Sequence, residues 1–330
     1  MFDIIGKYNS ATVYAKSVDR ESYAQVLAMC NMEQLRNSKI RMMPDMHAAE
    51  GCTVGTSLTI DDTVNPSYVG GDIGCGMQVY RLSDDEIDFR QVDHCVRTFI
   101  PSGAAIHEKE NPGIKQIPLK ELYCYDTIRH DVIGRSFGTL GGGNHFIEID
   151  KSMNGGYYLI IHSGSRRLGK DVAAYYEKAA YFAENGVSPD IAFKKKMRMG
   201  DVECKVPFRK CFLWGEYLQK CLHDMDIAVR YAQLSRKQMG QTLIDQLGLK
   251  VEDSFTTIHN YVDMQDKILR KGAVSAKDNE LLIIPINMRD GSVLARGRGN
   301  PEWMPDLQRK RESPVELHCP PRRRQIDETL

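Results

Sequence analysis

The sequence predicts a mixed α/β (α+β) protein in which helices pack outside central β-sheets. Short β-prone segments broken by glycine and proline fill residues 41–82 and return at 145–165 and 281–286. Residues 171–185 and 208–248 are instead rich in Ala, Leu, Met and Gln at helical spacing. Of the 330 residues, 42% are hydrophobic and 27% charged, which is enough apolar material for a sizeable core.

Charge and cysteine content exclude several classes of protein. The 44 Lys and Arg residues equal the 44 Asp and Glu residues, so the chain is not a wholly basic nucleic-acid coat, although a local basic groove remains possible. No apolar run of about 18 residues occurs, and no signal-peptide pattern begins the chain, so we expect a cytoplasmic protein without a membrane span. The nine cysteines, which contain no CxxC pair, are expected to stay reduced.

The first elements follow from local patterns. Residues 20–36 have apolar positions at helical spacing, and either Ser17 or Asp19 could cap this predicted helix. GTSLTI at 55–60 and MQVYRL at 77–82 are rich in β-prone residues and predict two strands.

A hairpin is predicted in the middle of the chain. HFIEID and GYYLIIHSGS have the composition of strands, and residues 151–155 between them predict the hairpin turn. His145 begins the first strand and His162 ends the second. Both histidines therefore lie at junctions between a strand and a glycine-containing loop.

The C-terminal part changes in character. LLIIPI at 281–286 predicts a buried strand, and RDGSVLARGRGN at 289–300 predicts a turn, a strand and a second turn. Residues 301–330 are basic, proline-rich and without apolar periodicity, which is typical of a disordered tail. We expect one folded domain over residues 1–300, followed by this atypical tail.

Five residues form a candidate metal site. Asp72 and Cys75 lie in the glycine-rich VGGDIGCGM, whose backbone freedom could aim both side chains at one point. His145, His162 and His259 would add imidazole nitrogens, whereas each of them alone is more often a structural residue. A thiolate can bridge two ions, and a two-metal site suits phosphoryl transfer. The cysteine favours zinc, while manganese suits a sphere of carboxylate, imidazole and phosphate oxygens.

Two polar groups flank these residues. The first could orient the ligands or form turns, and comprises Asp45, His47 and Glu50. The second could hold phosphate or form a solvated turn, and comprises Ser163, Ser165, Arg166 and Arg167.

Seven motifs taken in order resemble those of the RtcB family of RNA-splicing ligases over residues 1–300. They are PDMHAAEG, VGGDIGCGM, LGGGNHFIEI, HSGSRRLG, IHNYV, RKGA and GRGN. The resemblance implies a distinct α/β fold with two Mn²⁺ ions and GTP as the energy source. It implies that an RNA 3′-phosphate or 2′,3′-cyclic phosphate end is joined to a 5′-hydroxyl end, in tRNA splicing or RNA repair. RNA ends and GTP would be the partners, and a protein activator is compatible with this assignment.

The resemblance also implies a metal-ligand set. The Asp and Cys of the glycine loop, the His after GGGN, the His before SGS and the His of the HN pair match Asp72, Cys75, His145, His162 and His259. Cys75 would be the bridging ligand.

Further roles follow from the same match. Asn144 corresponds to a phosphate-contacting residue, and Phe146 and Glu148 fall where the guanine pocket is lined. Lys271 of RKGA joins this cofactor-binding set. Asp45 matches an acidic residue that supports guanylylation, so Asp45 and Asn144 are the expected catalytic residues.

The chain also departs from the family pattern. The nucleophilic His of the family, which would form a His–GMP intermediate, lies in a His-Gly-Ala-Gly-Arg motif that is absent here. Residues 285–289 read PINMR where the family has Pro-Gly-Ser-Met-Gly, and a C-terminal guanine-reading Lys has no counterpart. The expected ligase domain over 1–300 is therefore incomplete, which leaves two alternatives: an inactive homologue that binds metal and RNA ends, or a metal-dependent phosphohydrolase.

A shifted reading frame would explain the tail. Back-translation of VELHCPPRRRQ from the second base of the Val315 codon permits Trp-Asn-Phe-Thr-Ala-Pro-His-Gly-Ala-Gly-Arg. Our hypothesis is that the frame slips between Asn300 and Val315, which would make His318 an out-of-frame product and not the nucleophile. A natural, unrelated tail is the alternative.

Overall fold

The computed structural model describes residues 1–152, 155–287 and 290–299. The predicted mixed α/β class is confirmed, because strands and helices interleave throughout this part of the chain. The helices are α1 (Arg20–Cys30), α2 (Phe89–Phe99), α3 (His130–Ser136), α4 (Arg166–Glu184), α5 (Pro189–Lys194) and α6 (Gly215–Leu247). None of these described helices has the length and apolar character needed to span a membrane.

The strands form two main sheets and two small ones. The strands are β1 (Phe2–Ile5), β2 (Ser10–Val13), β3 (Ile40–His47), β4 (Val54–Thr59), β5 (Thr63–Val64), β6 (Gly76–Leu82), β7 (Phe146–Lys151), β8 (Tyr157–Ser163), β9 (Leu213–Trp214), β10 (Val251–Ile258), β11 (Asn260–Asp263), β12 (Ile268–Lys271), β13 (Leu281–Asn287) and β14 (Gly291–Arg296). The six-stranded sheet has the order β1-β2-β3-β4-β12-β11, and the four-stranded sheet has the order β10-β6-β8-β7. β13 pairs with β14 and β5 with β9.

Helix α6 connects the hydrophobic cores of the molecule. Its 33 residues extend about 50 Å at the rise of an α-helix. Met225 and Tyr231 pack into the main core, whereas Met239 and Leu243 pack under the four-stranded sheet. The helix ends at Gly248, whose φ of 64° is the left-handed conformation that glycine adopts without strain.

The predicted first helix is correct at its start and too long at its end. The side chain of Asp19 accepts hydrogen bonds from the backbone N–H groups of Glu21 and Ser22, so Asp19 and not Ser17 is the cap. The prediction was wrong beyond Cys30, where the helix stops. The Cys30 carbonyl accepts hydrogen bonds from the turn between β1 and β2, and a separate 3₁₀ turn follows at Glu33–Leu35.

The other predicted elements are found with shifted boundaries. The expected helix from 208 to 248 begins only at Gly215, because residues 213–214 pair with β5 as β9. Helix α4 begins at Arg166, five residues before the predicted start at 171. The hairpin of β7 and β8 and the positions of β13 and β14 agree with the prediction. The predicted burial of β13 was wrong beyond Ile283, because Ile284 and Ile286 are exposed.

Several predictions concern residues outside the described ranges. The β7–β8 turn includes residues 153 and 154, and the PINMR segment ends in residues 288 and 289. Residue 300 and the tail at 301–330, including the shifted-frame hypothesis, also lie outside the described residues.

A buried carboxyl group joins α6 to a loop and to α4. Asp224 is fully buried and accepts hydrogen bonds from the backbone N–H groups of Tyr123 and Cys124, both at 3.0 Å. The Tyr176 hydroxyl on α4 donates a further hydrogen bond at 2.8 Å. Removing the carboxyl group would leave two N–H groups and a hydroxyl without this acceptor.

We expect Asp224→Ala to lower the free energy of unfolding by about 3 kcal/mol, because buried donors lose their acceptor. Urea unfolding at neutral pH measures this change. The control is Asp226→Ala on the same helix, which removes only an exposed ion pair with Arg230 and should cost less than about 1 kcal/mol. Equal losses in the two variants would contradict this assignment.

Candidate metal centre

The loop before β6 is held tightly against α6 and the start of β11. Gly74 has a φ of 74°, and a side chain there would lie 2.9 Å from the Cα of Val229 on α6. The Gly74 N–H donates to the Asn260 carbonyl at 2.7 Å, and the Cys75 N–H donates to the Asp72 carbonyl at 3.1 Å. Glycine is therefore required at position 74 for two reasons: the positive φ, and the close approach of the backbone to α6. The result is a fixed turn that presents Asp72 and Cys75.

The register of the four-stranded sheet brings the five predicted ligands to the same end of its strands. Gly76 at the start of β6 lies opposite Ser163 at the end of β8 and Ile258 at the end of β10. Phe146 at the start of β7 lies opposite His162. Because neighbouring strands are antiparallel, the segments before β6 and β7 meet the ends of β8 and β10. These segments carry the residues predicted from sequence, namely Asp72, Cys75, His145, His162 and His259.

The five side chains form two overlapping groups. Cys75, His162 and His259 make one group, and Asp72, Cys75 and His145 make the other, with all donor atoms of a group within 4.8 Å of one another. The Cys75 Sγ lies 3.2 Å from His162 Nε2 and 3.5 Å from His145 Nε2. The Asp72 Oδ2 lies 3.3 Å from His145 Nε2, and the Nε2 atoms of His162 and His259 are 3.2 Å apart. One sulfur is thus shared by both groups, as a thiolate that bridged two ions would have to be.

Backbone carbonyls orient two of the imidazoles. His145 Nδ1 lies 2.9 Å from the Leu140 carbonyl, and His162 Nδ1 lies 2.9 Å from the Asn144 carbonyl. A carbonyl only accepts, so Nδ1 carries a hydrogen in each ring. Nε2 is therefore the atom that each ring turns towards the shared cysteine, and it is the atom that would ligate a metal.

Burial sets the protonation of the site. It lowers the pKa of His162 to about 3 and that of His259 to about 4, so both imidazoles are neutral at neutral pH. Burial and the nearby Asp72 raise the pKa of the Cys75 thiol. Burial also opposes ionisation of Asp72, but the hydrogen bond and charge of His145 outweigh it and lower the carboxyl pKa to about 2. The donor set therefore consists of a carboxylate, the neutral imidazoles of His162 and His259, the imidazole of His145, and a thiol that must lose its proton to bind metal.

A buried arginine lies directly behind the centre. Arg236 of α6 is fully buried, and its Nη1 donates to the Gly74 carbonyl at 2.7 Å and to the Ser163 carbonyl at 2.6 Å. It thereby joins the loop of Asp72 and Cys75 to the end of β8. Burial lowers the Arg236 pKa to about 10, so the group stays charged at neutral pH. Its Nε and Nη2 have no hydrogen-bond partner within the described residues.

Sequence reasoning did not single out Arg236. The available signal was its position in the pattern of α6, where Ala232 precedes it by four residues and Met239 follows by three, both fully buried. An arginine on the apolar face of a long helix needs buried acceptors. That signal predicts a buried contact, but it does not predict which loops supply the carbonyls.

The predicted guanine-pocket residues lie next to the centre on β7. The Phe146 ring centroid is 5.1 Å from that of His162. Glu148 projects to the same side of β7 two residues later, and its Oε1 accepts a hydrogen bond from Ser292 of β14 at 3.2 Å. Asn144 is exposed, and its backbone carbonyl orients His162.

Two other predicted residues lie in the six-stranded sheet. Lys271 of β12 is buried, and its Nζ donates to the Glu50 carbonyl. Burial lowers the pKa of this amine. Asp45 is exposed on β3, where its carbonyl lies 3.0 Å from His47 Nδ1. Within the described residues, no hydrogen bond or ion pair joins either side chain to the five clustered residues.

The candidate phosphate-binding residues divide into two kinds. The Ser163 hydroxyl donates to the Leu140 carbonyl at 2.8 Å, and Arg167 pairs with Asp171 at 2.6 Å, so both have structural partners. Arg166 differs, because its φ of 55° is unusual for a side-chain-bearing residue. Its guanidinium lies against Gly141, in the loop that leads to Asn144 and His145.

Comparisons with known proteins agree on one family. The family profile described as tRNA-splicing ligase RtcB matches residues 25–121 and 125–305. The chain is 28% identical over 294 residues to the RNA-splicing ligase RtcB of Escherichia coli (strain K12), which covers 80% of this chain and 71% of that protein. It is 24% identical over 301 residues to the RNA-splicing ligase RtcB2 of another Escherichia coli strain, with 80% and 65% covered. With the RNA-splicing ligase RtcB homolog 2 of Entamoeba dispar, the identity is 28% over 249 residues, with 59% and 45% covered.

We expect the native chain to bind two divalent ions and Cys75→Ala to lose both, because the sulfur belongs to both groups. His259→Gln should retain one ion. Metal content after gel filtration, measured by elemental mass spectrometry, tests this order. Cys204→Ala, which removes an exposed thiol, serves as the control and should retain both ions.

Metal affinity should rise with pH, by about tenfold per unit from pH 6 to 8. The Cys75 thiol is protonated in this range and must release one proton, whereas His162 and His259 are already neutral. Titration calorimetry in two buffers of different ionisation enthalpy measures the released proton. An affinity that does not change with pH would contradict this protonation scheme.

Arg236→Met should weaken metal binding by about 10–100-fold, because the two ligand-bearing segments lose their shared donor. Arg236→Lys should recover part of the affinity. The measured signal is the thiolate-to-cobalt charge-transfer band during Co²⁺ titration. The control is Arg270→Met, since Arg270 is also buried but interacts with Tyr261 and Asp263. It should destabilise the fold and leave the band unchanged.

Proposed function

Because the chain belongs to the RtcB family, we propose that residues 1–299 form the metal-binding and RNA-end-binding domain of a GTP-dependent RNA ligase. The reaction would join an RNA 3′-phosphate or 2′,3′-cyclic phosphate end to a 5′-hydroxyl end. The observation that carries this proposal is the pair of donor groups that share the Cys75 sulfur at the end of one sheet. The relatives in Escherichia coli are named RNA-splicing ligases.

The donor set suits two divalent ions, and we propose Mn²⁺. Neutral imidazoles, one carboxylate and one thiol are the ligand types of first-row metals, and each group leaves room for substrate oxygens because it supplies only three donors. Two such ions would neutralise phosphate charge and clamp the attacking and leaving oxygens of an in-line displacement. Asp72, Cys75 and His145 would hold one ion, and Cys75, His162 and His259 the other.

The surrounding residues would bind the phosphate and the nucleotide. The exposed Asn144 amide and the Arg166 guanidinium lie beside the ligand-bearing loop, and both can donate hydrogen bonds to phosphate oxygens. Phe146 offers a ring face for stacking, and Glu148 can accept hydrogen bonds from the edge of guanine. We propose Phe146 and Glu148 as the residues that contact GTP.

Lys271 and Asp45, which belong to the six-stranded sheet, are proposed to contribute to the same reaction. Lys271 is the last residue of β12 and lies opposite Asn260 of β11, which directly follows His259. Its amine would contribute positive charge to nucleotide binding, and Asp45 would support guanylylation. The covalent step that joins GMP to a histidine is assigned to no residue here, since the sequence contains no His-Gly-Ala-Gly-Arg motif.

Binding of RNA ends provides the direct test. We expect Mn²⁺-dependent binding of single-stranded RNA with a 3′-phosphate to be at least about tenfold tighter than that of the same RNA with a 3′-hydroxyl, because only the phosphate reaches the ions. Fluorescence anisotropy measures both affinities. Chelation of the metal and Cys75→Ala should abolish the difference, whereas Cys204→Ala should preserve it.

The same RNA distinguishes the possible reactions. Joining to a 5′-hydroxyl strand only when GTP is present would assign the complete ligase reaction to this chain. Release of phosphate from cyclic-phosphate RNA without GTP would assign a hydrolase instead. Equal affinity for 3′-phosphate and 3′-hydroxyl ends, with metal bound, would contradict the proposed function.

A further inference from the structure

Residues 194–210 form an exposed basic segment in a chain whose total charge is zero. We call its six unpaired cationic residues the basic surface: Lys194, Lys195, Lys196, Arg198, Lys205 and Lys210. All six are exposed, and none forms an ion pair within the part of the chain that the structure describes. The only acidic residues in the segment are Asp201 and Glu203, and Asp201 accepts a hydrogen bond from the Arg198 N–H at 2.7 Å.

Aromatic packing fixes this segment against α4. Phe193 stacks on Tyr175 of α4, with ring centroids 4.4 Å apart. Farther along, the Tyr181 hydroxyl donates to the Met199 carbonyl at 3.3 Å, and its ring contacts Phe208. The segment is therefore held in place by three apolar or polar contacts to one helix, and its charges occupy a defined position.

The first turn of α4 connects this region to the metal centre. Lys170 packs its side chain within 3.3 Å of the position that a Cβ on Gly71 would occupy, and Gly71 directly precedes Asp72. Lys170 and Lys178 are both exposed. They are eight residues apart, so they lie about 80° apart around the helix and about 12 Å apart along it. Positive charge thus continues along α4 from the centre towards Tyr181 and the basic segment.

The other end of the segment returns to the edge of the same centre. Arg209 forms an ion pair with Glu50, whose carbonyl accepts a hydrogen bond from Lys271. Lys271 is paired in the sheet with Asn260, the residue after His259. Lys170 therefore lies beside the loop that carries Asp72, and Arg209 is linked to the segment of His259 through Glu50 and Lys271.

We propose that the basic surface binds the phosphodiester backbone of the RNA strand whose 3′-phosphate end lies at the metal centre. This inference rests on the proposed function. A single strand presents one negative charge per nucleotide, and unpaired Lys and Arg side chains along a fixed route are its electrostatic counterpart. Such contacts are independent of sequence and position the strand, whereas the metal centre recognises the end.

The test compares a long single-stranded RNA and a dinucleotide, both with a 3′-phosphate, in the presence of Mn²⁺. The variant K194Q/K195Q/K196Q removes three charges from exposed side chains. Its affinity for the long RNA should fall at least about tenfold, and the slope of log affinity against log salt should decrease by about 2. Its affinity for the dinucleotide should not change, because that ligand is too short to leave the metal centre.

The matched control is K16Q/K151Q/K250Q, which also removes three exposed lysine charges. Lys151 and Lys250 lie at the end of the four-stranded sheet opposite the metal centre, and Lys16 follows β2. This control should bind both RNAs like the native chain. Equal effects of the two triple variants would mean that only total charge matters, and would overturn the proposal.

The remaining outcomes separate this inference from the proposed function. Tight binding of the long RNA by native chain and K194Q/K195Q/K196Q alike, with equal salt slopes, would overturn the basic surface alone. A native chain that binds neither RNA would overturn the proposed function and this inference together. Loss of binding to anionic lipid vesicles in the triple variant, with RNA binding unchanged, would assign the surface to a membrane instead.

Discussion

The geometry of the metal centre depends on Arg236, a buried charged residue that is not one of the candidate ligands. The Arg236 guanidinium donates from inside the protein to the carbonyls of Gly74 and Ser163, and these two residues flank the segments that carry Cys75 and His162. Cys75 precedes β6 and is not paired within the sheet, whereas Ser163 is the last paired residue of β8, so the arginine ties an unpaired loop to a strand end. Burial of an arginine costs free energy unless its N–H groups find acceptors. The carbonyls of Gly74 and Ser163 are these acceptors, so the contact holds both in place. The same contact therefore fixes the geometry of the site.

The donor side chains of the centre carry few charges in the absence of metal. Burial keeps His162 and His259 neutral and Cys75 protonated, so the cluster of short contacts carries little net charge without metal. Incoming cations would replace one thiol proton and find lone pairs already oriented by backbone carbonyls. The sheet, α6 and the glycine loop hold the donors close together, so part of the free-energy cost of assembling the site belongs to the folding of the domain.

The residues assigned to nucleotide and RNA are arranged around this fixed centre on different parts of the fold. Phe146 and Glu148 are on the same sheet as the ligands, whereas Asp45 and Lys271 belong to the six-stranded sheet. The hydrogen bond from Ala273 to the His259 carbonyl joins the second sheet to the centre. The proposed contacts to the metal ions and the nucleotide would therefore come from both sheets.

The local sequence determined the residue types of the site and most of the elements that carry them. Glycine beside Asp72 and Cys75, histidines at strand ends, and the ordered motifs were enough to predict the fold class, the family and the five clustered residues, because each signal lies within a few neighbouring positions. Only the tertiary structure decided the strand register that joins these positions, the burial that sets their protonation, and the role of Arg236. It also decided that helix α1 ends at Cys30, and that Arg209 reaches Glu50. These features depend on contacts between residues far apart in the chain, which hydrophobic periodicity and local propensity do not encode.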